Sequence, residues 1–457
     1  MKKQQGMATL IVVIVVLVIT TLMVFFATKV GLFDQRMAGN EVRYKEAFTT
    51  AEAGLDMAVQ KFKDQWYATG TAPWATIMAN SAIASGTSSN GTVAGAGTPS
   101  FGVTIGPGRS IPAGSFVKDM TYIINNIGTT DFTLIGASGN VVGTPFTATG
   151  VGTGTGTAYF SYQFISTSLG ADGTGTATVS REITMKSILG GSGPSVPVVV
   201  AGTVGAGGDF NIVANPNGGG NGIPVSIWTG GPSPTGDVSM GGSSATCHIQ
   251  YFDGNNPQCS NPSGNSELIS QGSSGLTLSA YSAVAPDVVP NDPNFPADLF
   301  QFLFGVSRTD WQSVYGMANS RHQVVADCSS LSATSGQKFR LWWITGDCSM
   351  GSNQVIGSEA NPVILVIDDH QLIMGGAGSR IYGVPFLFNN PSNAATPSAV
   401  FHGSPAIYGS FISDMGGAAM NGSYSIVYDQ TLLNNLVSTT SSANFSIAYI
   451  PGSWRDF

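Results

Sequence analysis

The fold is decided by the stretch MATLIVVIVVLVITTLMVFFA, residues 7–27. It contains no charged residue, no Gly and no Pro, so nothing in it opposes a continuous helix. At 1.5 Å of rise per residue, such a helix is roughly 30 Å long, which matches the hydrocarbon core of a bilayer. Lys2 and Lys3 precede the run. The sequence therefore predicts a membrane-spanning helix with a cytoplasmic N-terminus and the rest of the chain on the other side.

Three interpretations of this segment compete. A secretory signal peptide has a shorter apolar region with a small-residue cleavage site after it, and no convincing site follows Ala27. A plain transmembrane anchor fits the length. The third interpretation rests on Gly6, which ends a short basic leader at residues 1–6 directly before Met7. This junction resembles the class III signal of type IV prepilins, which implies that a prepilin peptidase cuts between Gly6 and Met7 and that the new amine of Met7 is a candidate for methylation.

The helix is predicted to continue beyond the apolar run and to cover residues 7–64. Apolar residues recur there at intervals of three, four and seven, and charges of both signs occupy the other positions. There is no Pro between residues 1 and 72. The predicted rod is therefore about 80 Å long. Gly31, Gly39 and Gly54 each cost up to ~1 kcal/mol relative to Ala and permit local bending.

The segment QRMAGNEVRYKEAFTTAEAGLDMAV, residues 35–59, makes the resemblance specific. Together with the apolar run before it, this segment resembles the N-terminal region of PilX-type minor pilins of type IV pili. The stretch IPGSWRDF, residues 450–457, resembles the end of PilX-like proteins. The helix positions that match the family are Arg36, Met37, Ala38, Gly39, Asn40, Ala51, Glu52 and Ala53.

One position departs from the major pilins. In that family, Glu at the fifth position of the mature helix neutralises the N-terminal amine of a neighbouring subunit, and here the position is Ile11. A subunit without this Glu can do without a partner above it, so the resemblance implies a place at or near the pilus tip. The alternative is that Ile11 is one more lipid-facing apolar residue.

The resemblance also implies a function and a set of partners. The protein would be a minor pilin that contributes to pilus assembly or initiation and to adhesion. Its partners would be other minor pilins and the major pilin through the N-terminal helix, the prepilin peptidase, the inner-membrane assembly platform and a tip adhesin. It would wait in the inner membrane with a periplasmic head and later reside in the pilus at the cell surface. A surface adhesin or glycan-binding module and a GspK-like pseudopilin of type II secretion are the alternatives.

The rest of the chain predicts an α+β protein with two β-rich regions. Residues 65–190 are predicted to form a pilin-like β region with Gly/Thr-rich loops. There, Tyr159–Ser166 and Thr176–Lys186 should pair as a hairpin, which the resemblance assigns to a small antiparallel sheet on the second half of the helix. A strand is also expected over Asp131–Ile135. Residues 191–457 are predicted to form a β-rich C-terminal domain.

Short apolar strands separated by Gly, Asn and Ser turns recur in this second region. Two of them share the tripeptide Ile-Tyr-Gly, which begins at Ile381 and at Ile407. Such spacing favours a β-solenoid, in which successive coils stack over a continuous core, with a β-sandwich as the alternative. Residues 295–319 are expected to form a short helical cap whose aromatic residues belong to the core.

Four cysteines permit three disulfide pairings. We favour Cys247 with Cys259 and Cys328 with Cys348, because each pair closes a short polar loop. A zinc site is a weaker alternative, since the sequence has no C-x-x-C pair. Disulfides imply an oxidising compartment, in agreement with a head outside the cytoplasm.

Composition and charge argue against an enzyme and against nucleic-acid binding. Only 10% of residues are charged, the net charge is −8, and the few Lys and Arg residues form no basic patch. Asp368, Asp369 and His370 are interpreted as a solvated strand end rather than as a catalytic or metal site. Asp253–Asn256 lacks the alternating ligands of a calcium loop. We therefore expect no enzymatic activity, no cofactor, no metal and no nucleic-acid partner.

Overall fold

The computed structural model describes most of the chain. It covers residues 5–69, 82–87, 98–118, 120–190, 194–205, 209–230, 237–254, 258–260, 268–392, 398–414, 420–437, 444–450 and 452–457. Its first element is helix α1, Gln5–Thr69, with 65 residues. The predicted long helix is thus confirmed, and it begins and ends a few residues beyond the predicted bounds. Residues 1–4 of the predicted leader lie outside the described residues.

The second half of α1 packs against an antiparallel sheet. The strands in this part of the chain are β1 (Ala82–Thr87), β2 (Ser100–Pro107), β3 (Ser110–Pro112), β4 (Thr121–Asn126), β5 (Pro145–Thr147), β6 (Thr157–Tyr159), β7 (Tyr162–Leu169) and β8 (Thr176–Ser187). Strands β1, β2, β7 and β8 lie side by side in that order. Leu55 and Phe62 of α1 are buried with Phe101 and Phe164 of the sheet. Strands β7 and β8 confirm the predicted hairpin.

Strands β3, β6, β4 and β5 form a second antiparallel sheet with its own aromatic core. The rings of Phe116, Tyr122 and Phe146 are buried, with centroids between 4.7 and 5.8 Å apart. The predicted strand over Asp131–Ile135 is wrong, because Phe132–Ile135 forms a 3-10 helix. A carboxylate oxygen of Asp131 accepts a hydrogen bond from the backbone N–H two residues later at 3.0 Å, and this local bond stabilises a turn instead of a strand.

The head comprises residues 194–437. Its strands are β9 (Val198–Val200), β10 (Phe210–Val213), β11 (Ile227–Gly230), β12 (Val238–Met240), β13 (Ala245–Cys247), β14 (Phe252–Asp253), β15 (Gln258–Cys259), β16 (Leu268–Gln271), β17 (Leu276–Leu278), β18 (Val288–Asp292), β19 (Val324–Val325), β20 (Leu341–Ile344), β21 (Cys348–Met350), β22 (Val355–Ile356), β23 (Val363–Asp368), β24 (Leu372–Met374), β25 (Arg380–Phe388), β26 (Ala399–Phe401), β27 (Ala406–Gly409), β28 (Phe411–Ser413), β29 (Met420–Gly422) and β30 (Tyr424–Val427). Its helices are α2 (Leu299–Phe304), α3 (Gln312–Asn319) and α4 (Gln430–Val437). Helices α2 and α3 confirm the helical segment expected over residues 295–319.

Most head strands stack in parallel as coils with three faces, while β12 with β17, β13 with β16 and β14 with β15 are antiparallel pairs. The first face joins β20, β23, β25, β28, β9, β11 and β18 in that order. The second joins β22, β25, β27, β30, β10 and β13, and the third joins β21, β24, β26 and β29. The first two faces belong to one curled sheet of 14 strands. The solenoid-like prediction is confirmed, and the sandwich alternative is wrong, because sandwich sheets are antiparallel.

The repeated Ile-Tyr-Gly tripeptides mark the corner between the first two faces. Ile381–Gly383 pairs in register with Ile407–Gly409. The two isoleucines are buried, and the two tyrosine rings stack outside the coil at 4.8 Å with an interplanar angle of 8°. Gly383 has a φ of 152°, and a Cβ atom there would lie 1.8 Å from the carbonyl oxygen of Val363. The corner therefore requires Gly.

The chain both enters and leaves the head in the middle of the stack of coils. The first head strand, β9, lies between β28 and β11. The coils proceed from β9 to β18, helices α2 and α3 follow, and the later coils run from β20 back to β30, which lies between β27 and β10. Two further strands, β31 (Phe445–Tyr449) and β32 (Arg455–Asp456), pair with β8. Strands β31 and β32, which the sequence predicts to be part of the C-terminal domain, thus join the first sheet, and the head is an insertion between β8 and β31.

The corner glycine gives a first prediction. Gly383→Ala should lower the free energy of unfolding of the head by about 2 kcal/mol or more, because a Cβ atom would force the backbone of two coils apart. Gly316→Ala is the matched control, since Gly316 lies at an exposed position of helix α3 where an added Cβ atom would have nothing within 4 Å, and it should gain about 0.5–1 kcal/mol. Chemical denaturation of the purified protein measures both changes. Equal stability of the two variants would contradict the assigned corner.

The insertion gives a second prediction. Ser187 of β8 pairs directly with Phe445 of β31. Replacing residues 188–444 with Asn-Gly should therefore leave α1 and the first sheet folded, because a two-residue turn suits such an antiparallel pair. Circular dichroism and thermal unfolding in detergent test the result. A chain that lacks residues 188–457 is the control, and it should unfold at a lower temperature because it also loses β31 and β32; equal melting of the two chains would count against the insertion.

Candidate functional site

The first half of α1 projects from the rest of the protein. From Thr9 to Lys45 its residues are exposed, apart from the half-buried Gly39. The exposed fraction of the side chain is 58% for Ile11 and 63% for Phe33. The most apolar 18-residue window has a mean hydropathy of 3.2 and no buried residue, so the helix is long and apolar enough to cross a membrane. This half, residues 9–45, is called the projecting half below.

Two threonine hydroxyls in the projecting half form hydrogen bonds within the helix. The hydroxyl of Thr20 donates to the carbonyl oxygen of Val16 at 2.9 Å, and that of Thr28 donates to Val24 at 2.7 Å. These bonds leave no hydroxyl hydrogen without an acceptor at the two positions, whatever apolar medium surrounds them. The projecting half therefore suits both lipid and a packed bundle of helices.

The predicted processing site lies at the beginning of this helix. Gly6 and Met7 are in the first turn of α1, and Ile11 follows one turn later on the exposed surface. The arrangement is compatible with the junction that the sequence predicts, and cleavage between Gly6 and Met7 stays a prediction. The role of Ile11 at the tip stays a prediction as well.

The family positions fall on both sides of the point where the helix meets the sheet. Arg36, Met37, Ala38 and Asn40 are exposed on the projecting half. Further along, Ala51 is buried against the sheet, Glu52 is half-buried and Ala53 is exposed. The structure therefore does not gather these residues into one site, since they form two groups on different sides of the junction.

The hairpin loop between β7 and β8 holds the helix at this junction. The guanidinium of Arg43 lies 2.5 Å from the Asp172 carboxylate. The backbone N–H of Ala171 donates to the Glu46 carboxylate at 3.2 Å. A hydrogen bond from the backbone N–H of Thr174 is the main reason why the pKa of Asp172 lies below its ordinary value. The loop thus presents a stable negative charge to the helix where its covered half begins.

The segment 450–457 packs beside the helix. The ring of Trp454 meets the ring of Phe48 edge-on, with centroids 6.0 Å apart. The buried hydroxyl of Ser453 accepts a hydrogen bond from the backbone N–H of Glu182 at 3.1 Å and donates to the carbonyl oxygen of Ile450 at 2.6 Å. The two stretches of sequence that carry the family resemblance are therefore in contact. We call the C-terminal segment, residues 450–457, the clasp.

Two charged residues of β8 complete the contact, and sequence reasoning missed both. The carboxylate of Glu182 accepts a hydrogen bond from Ser161 at 2.7 Å and lies 3.6 Å from the guanidinium of Arg109. The neighbouring Arg181 lies 3.9 Å from Asp56 of α1 and 4.5 Å from the ring of Tyr449. Adjacent opposite charges in the middle of a predicted strand are the signal that could have found them.

Residues considered for other chemistry have structural partners. The Asp368 carboxylate accepts hydrogen bonds from the indole of Trp343 at 3.0 Å and from the side chain of Asn390 at 3.0 Å. Asp369 accepts from the backbone N–H of Asn390 at 2.9 Å, and His370 lies 3.3 Å from Asp347. No group of three or more metal-binding side chains occurs within the described ranges of the chain. Part of the segment Asp253–Asn256 lies outside those ranges.

The cysteines lie in the two pairs favoured from the sequence. The sulfur atoms of Cys247 and Cys259 are 2.13 Å apart, and those of Cys328 and Cys348 are 1.91 Å apart. The first pair fixes a loop on the outside of the second face, and the second pair lies in the head core. Each closes a short loop, as the prediction assumed.

Comparison with known proteins identifies the helix. Residues 5–56 match the family model described as PilX N-terminal. The match covers the projecting half and the first turns of the covered half, and it confirms the resemblance to PilX-type pilins that the sequence predicts. No curated protein matches the chain. No solved structure matches it either.

The junction between helix and sheet gives a third prediction. A Cβ atom at Gly54 would lie 2.6 Å from the ring of Phe101 and 2.9 Å from the hydroxyl of Ser166. Gly54→Ala should therefore lower the free energy of unfolding by about 1–3 kcal/mol. Gly31→Ala is the control, because nothing lies within 4 Å of that position. Urea denaturation followed by tryptophan fluorescence compares the two, and an equal loss of stability in both would contradict the close helix–sheet packing.

Proposed function

We propose that this chain, whose first helix is a PilX-type pilin segment, is a minor pilin of a type IV pilus, located at or near the tip. In this role it contributes to the initiation or assembly of the fibre. The observation that carries the proposal is the projecting half of α1, an apolar rod that the described parts of its own chain leave uncovered.

The physical argument starts from exposed apolar area. Each large apolar side chain costs about 1.5–3 kcal/mol when it is left in water instead of being buried. The projecting half carries many such side chains, for example Leu10, Phe25 and Phe33, each more than half exposed. A membrane covers them before assembly, and the helices of neighbouring subunits cover them in a fibre. Both environments accept the same helix, because its hydroxyl groups bond to its own carbonyls.

Two features support a place near the tip. Ile11 occupies the position where major pilins carry the Glu that pairs with a neighbouring subunit. The head adds more than 240 residues as an insertion in the first sheet, between Ser187 and Phe445. Such a bulky head suits a few copies at one end of a thin fibre better than dense repetition along it.

We propose that the protein functions in two successive states, first in the membrane and then in the fibre. The helix is first held in the inner membrane, with its N-terminus in the cytoplasm and its head in the periplasm. The prepilin peptidase cuts between Gly6 and Met7, and the assembly platform then moves the helix into the fibre. Its partners there are other minor pilins, the major pilin and a tip adhesin. Disulfide-bonded cysteines in the head agree with an oxidising compartment.

We infer a structural role rather than an enzymatic one. Asp368 and Asp369, the strongest candidates for acid–base chemistry, use their carboxylates to hold neighbouring coils together. A carboxylate with such partners stabilises the end of the strand. This use supports the proposal of a protein that acts through its helix and its surfaces.

Processing at Gly6 gives a fourth prediction. Gly6→Val should block cleavage, because the proposed peptidase requires Gly before the cut, and the uncleaved chain should stay in the membrane. Gln5→Val, which keeps Gly6, is the control and should mature normally. Mass spectrometry of sheared surface fibres reports the presence of the chain, its copy number relative to the major pilin and whether its first residue is Met7. A Gly6→Val chain that matures and enters fibres would rule out the proposed leader.

A GspK-like pseudopilin of type II secretion is the second candidate, because it shares the helix and the absence of the Glu at the position of Ile11. Deletion of the chain separates the two candidates. Loss of surface fibres with normal protein secretion supports the pilus role. Loss of secretion with normal fibres supports the pseudopilin role.

A further inference from the structure

A groove lies on the outside of the second face of the head, and none of its described lining residues belongs to α1 or to the clasp. Its volume is about 860 Å³, within the range of roughly 300–1,000 Å³ that is usual for ligand sites. Tyr408 and Val427 of adjacent coils line it, and Tyr428 lies beside the beginning of α4. Two neighbouring segments also line it, His248–Gln250 after β13 and Asn215–Asn217 after the adjacent strand β10, and His248–Gln250 forms one wall.

The groove is built from fixed elements. The ring of Tyr408 is stacked on the ring of Tyr382 at 4.8 Å. The disulfide between Cys247 and Cys259 ties down one wall, and the backbone N–H of Cys259 donates to the side chain of Asn211 at 3.0 Å. A site that is ordered before binding loses little entropy when a ligand arrives.

The neighbouring segment Asn215–Asn217 and the beginning of α4 are fixed as well. The side-chain amide of Asn215 donates to the carbonyl oxygen of Ser195 at 2.6 Å. Its side-chain oxygen accepts from the backbone N–H of Asn217 at 3.0 Å. The carboxylate of Asp429 caps helix α4 through the backbone N–H of Leu432 at 3.0 Å. These parts of the lining are therefore held by hydrogen bonds within the head.

The chemistry of the lining selects a class of ligand. Among the described residues that line the groove there is no Lys or Arg, while Glu359 and Asp429 contribute carboxylates. The lining therefore disfavours an anion. The exposed side chains of Gln250 and Glu359 have no hydrogen-bond partner among the described residues, so they are free to bind hydroxyl or amide groups. Tyrosine rings offer flat apolar faces with a polar tip.

We infer that this groove binds an uncharged glycan. The apolar C–H face of a pyranose ring would lie against Tyr408, and the ring hydroxyls would bond to Gln250 and Glu359. A peptide is less suited, because the part of the second face that borders the groove offers ring and side-chain groups rather than an open strand edge. This inference adds a ligand site to the proposed pilin role and does not depend on it, since every lining residue belongs to the head.

The test uses the full chain in a detergent without a sugar headgroup, because glycoside detergents would compete for the groove. An array of neutral, sialylated, uronic-acid and amine-bearing oligosaccharides identifies the class, and calorimetry measures the affinity for the best neutral one. A set of unrelated extended peptides serves as the alternative ligand. Selective binding of neutral glycans supports the inference.

Variants locate the binding in the groove. Tyr408→Ala should weaken binding by about tenfold or more, since an aromatic anchor usually carries much of the binding energy. The double variant Gln250→Ala and Glu359→Ala changes only exposed side chains, and it should weaken binding severalfold without altering the fold. Tyr281→Ala is the matched control, because that ring is 61% exposed elsewhere on the head.

Three results would overturn the inference. The first is an absence of neutral-glycan binding, and the second is a preference for acidic glycans, amine-bearing glycans or peptides. The third is binding that both groove variants retain, or that Tyr281→Ala weakens to the same degree. Because binding is measured without fibres, a failure here leaves the pilin role intact, and a chain that does not enter fibres leaves the groove result intact.

Discussion

The structure depends on one constraint, which is that the described parts of the chain leave the apolar surface of the projecting half uncovered in water. The covered half of the same helix shows the contrast. There, Leu55, Val59 and Phe62 are buried by the antiparallel sheet, whereas Leu10 and Phe25 remain exposed. The second half of the helix is thus buried by its own sheet, whereas the first half is long and apolar enough to cross a membrane.

The clasp and the hairpin loop fix where one environment ends and the other begins. Arg43 and Asp172 lie on one side of this boundary, and the edge-on contact of Phe48 with Trp454 lies beside it. These contacts combine an ion pair with an aromatic pair, so the helix cannot slide or rotate against the sheet without losing both. A force applied to the projecting half would be transmitted to the sheet through these contacts.

The head is joined to the first sheet without interrupting it. The backbone N–H of Ile188 donates to the carbonyl oxygen of Asn444 at 2.9 Å, so the ladder continues to the edge of the insertion. Beyond that point, Ile188 is buried in the head core, and the Arg340 guanidinium donates to the Asn444 side chain at 3.0 Å. A large module with its own surfaces, including the groove, can thus be carried by a small sheet.

Local patterns determined much of this protein from sequence alone. The uncharged run at residues 7–27 required a helix, the Ile-Tyr-Gly repeat at Ile381 and Ile407 indicated stacked coils, and the cysteine spacing indicated the two pairs. Tertiary structure alone decided that β9 enters the middle of the stack, that β31 and β32 return to β8, and that Tyr408 and Gln250 share a groove. The physical reason is that strands pair through backbone N–H and C=O groups that nearly every residue carries, so side-chain patterns predict a strand but do not specify its distant partner.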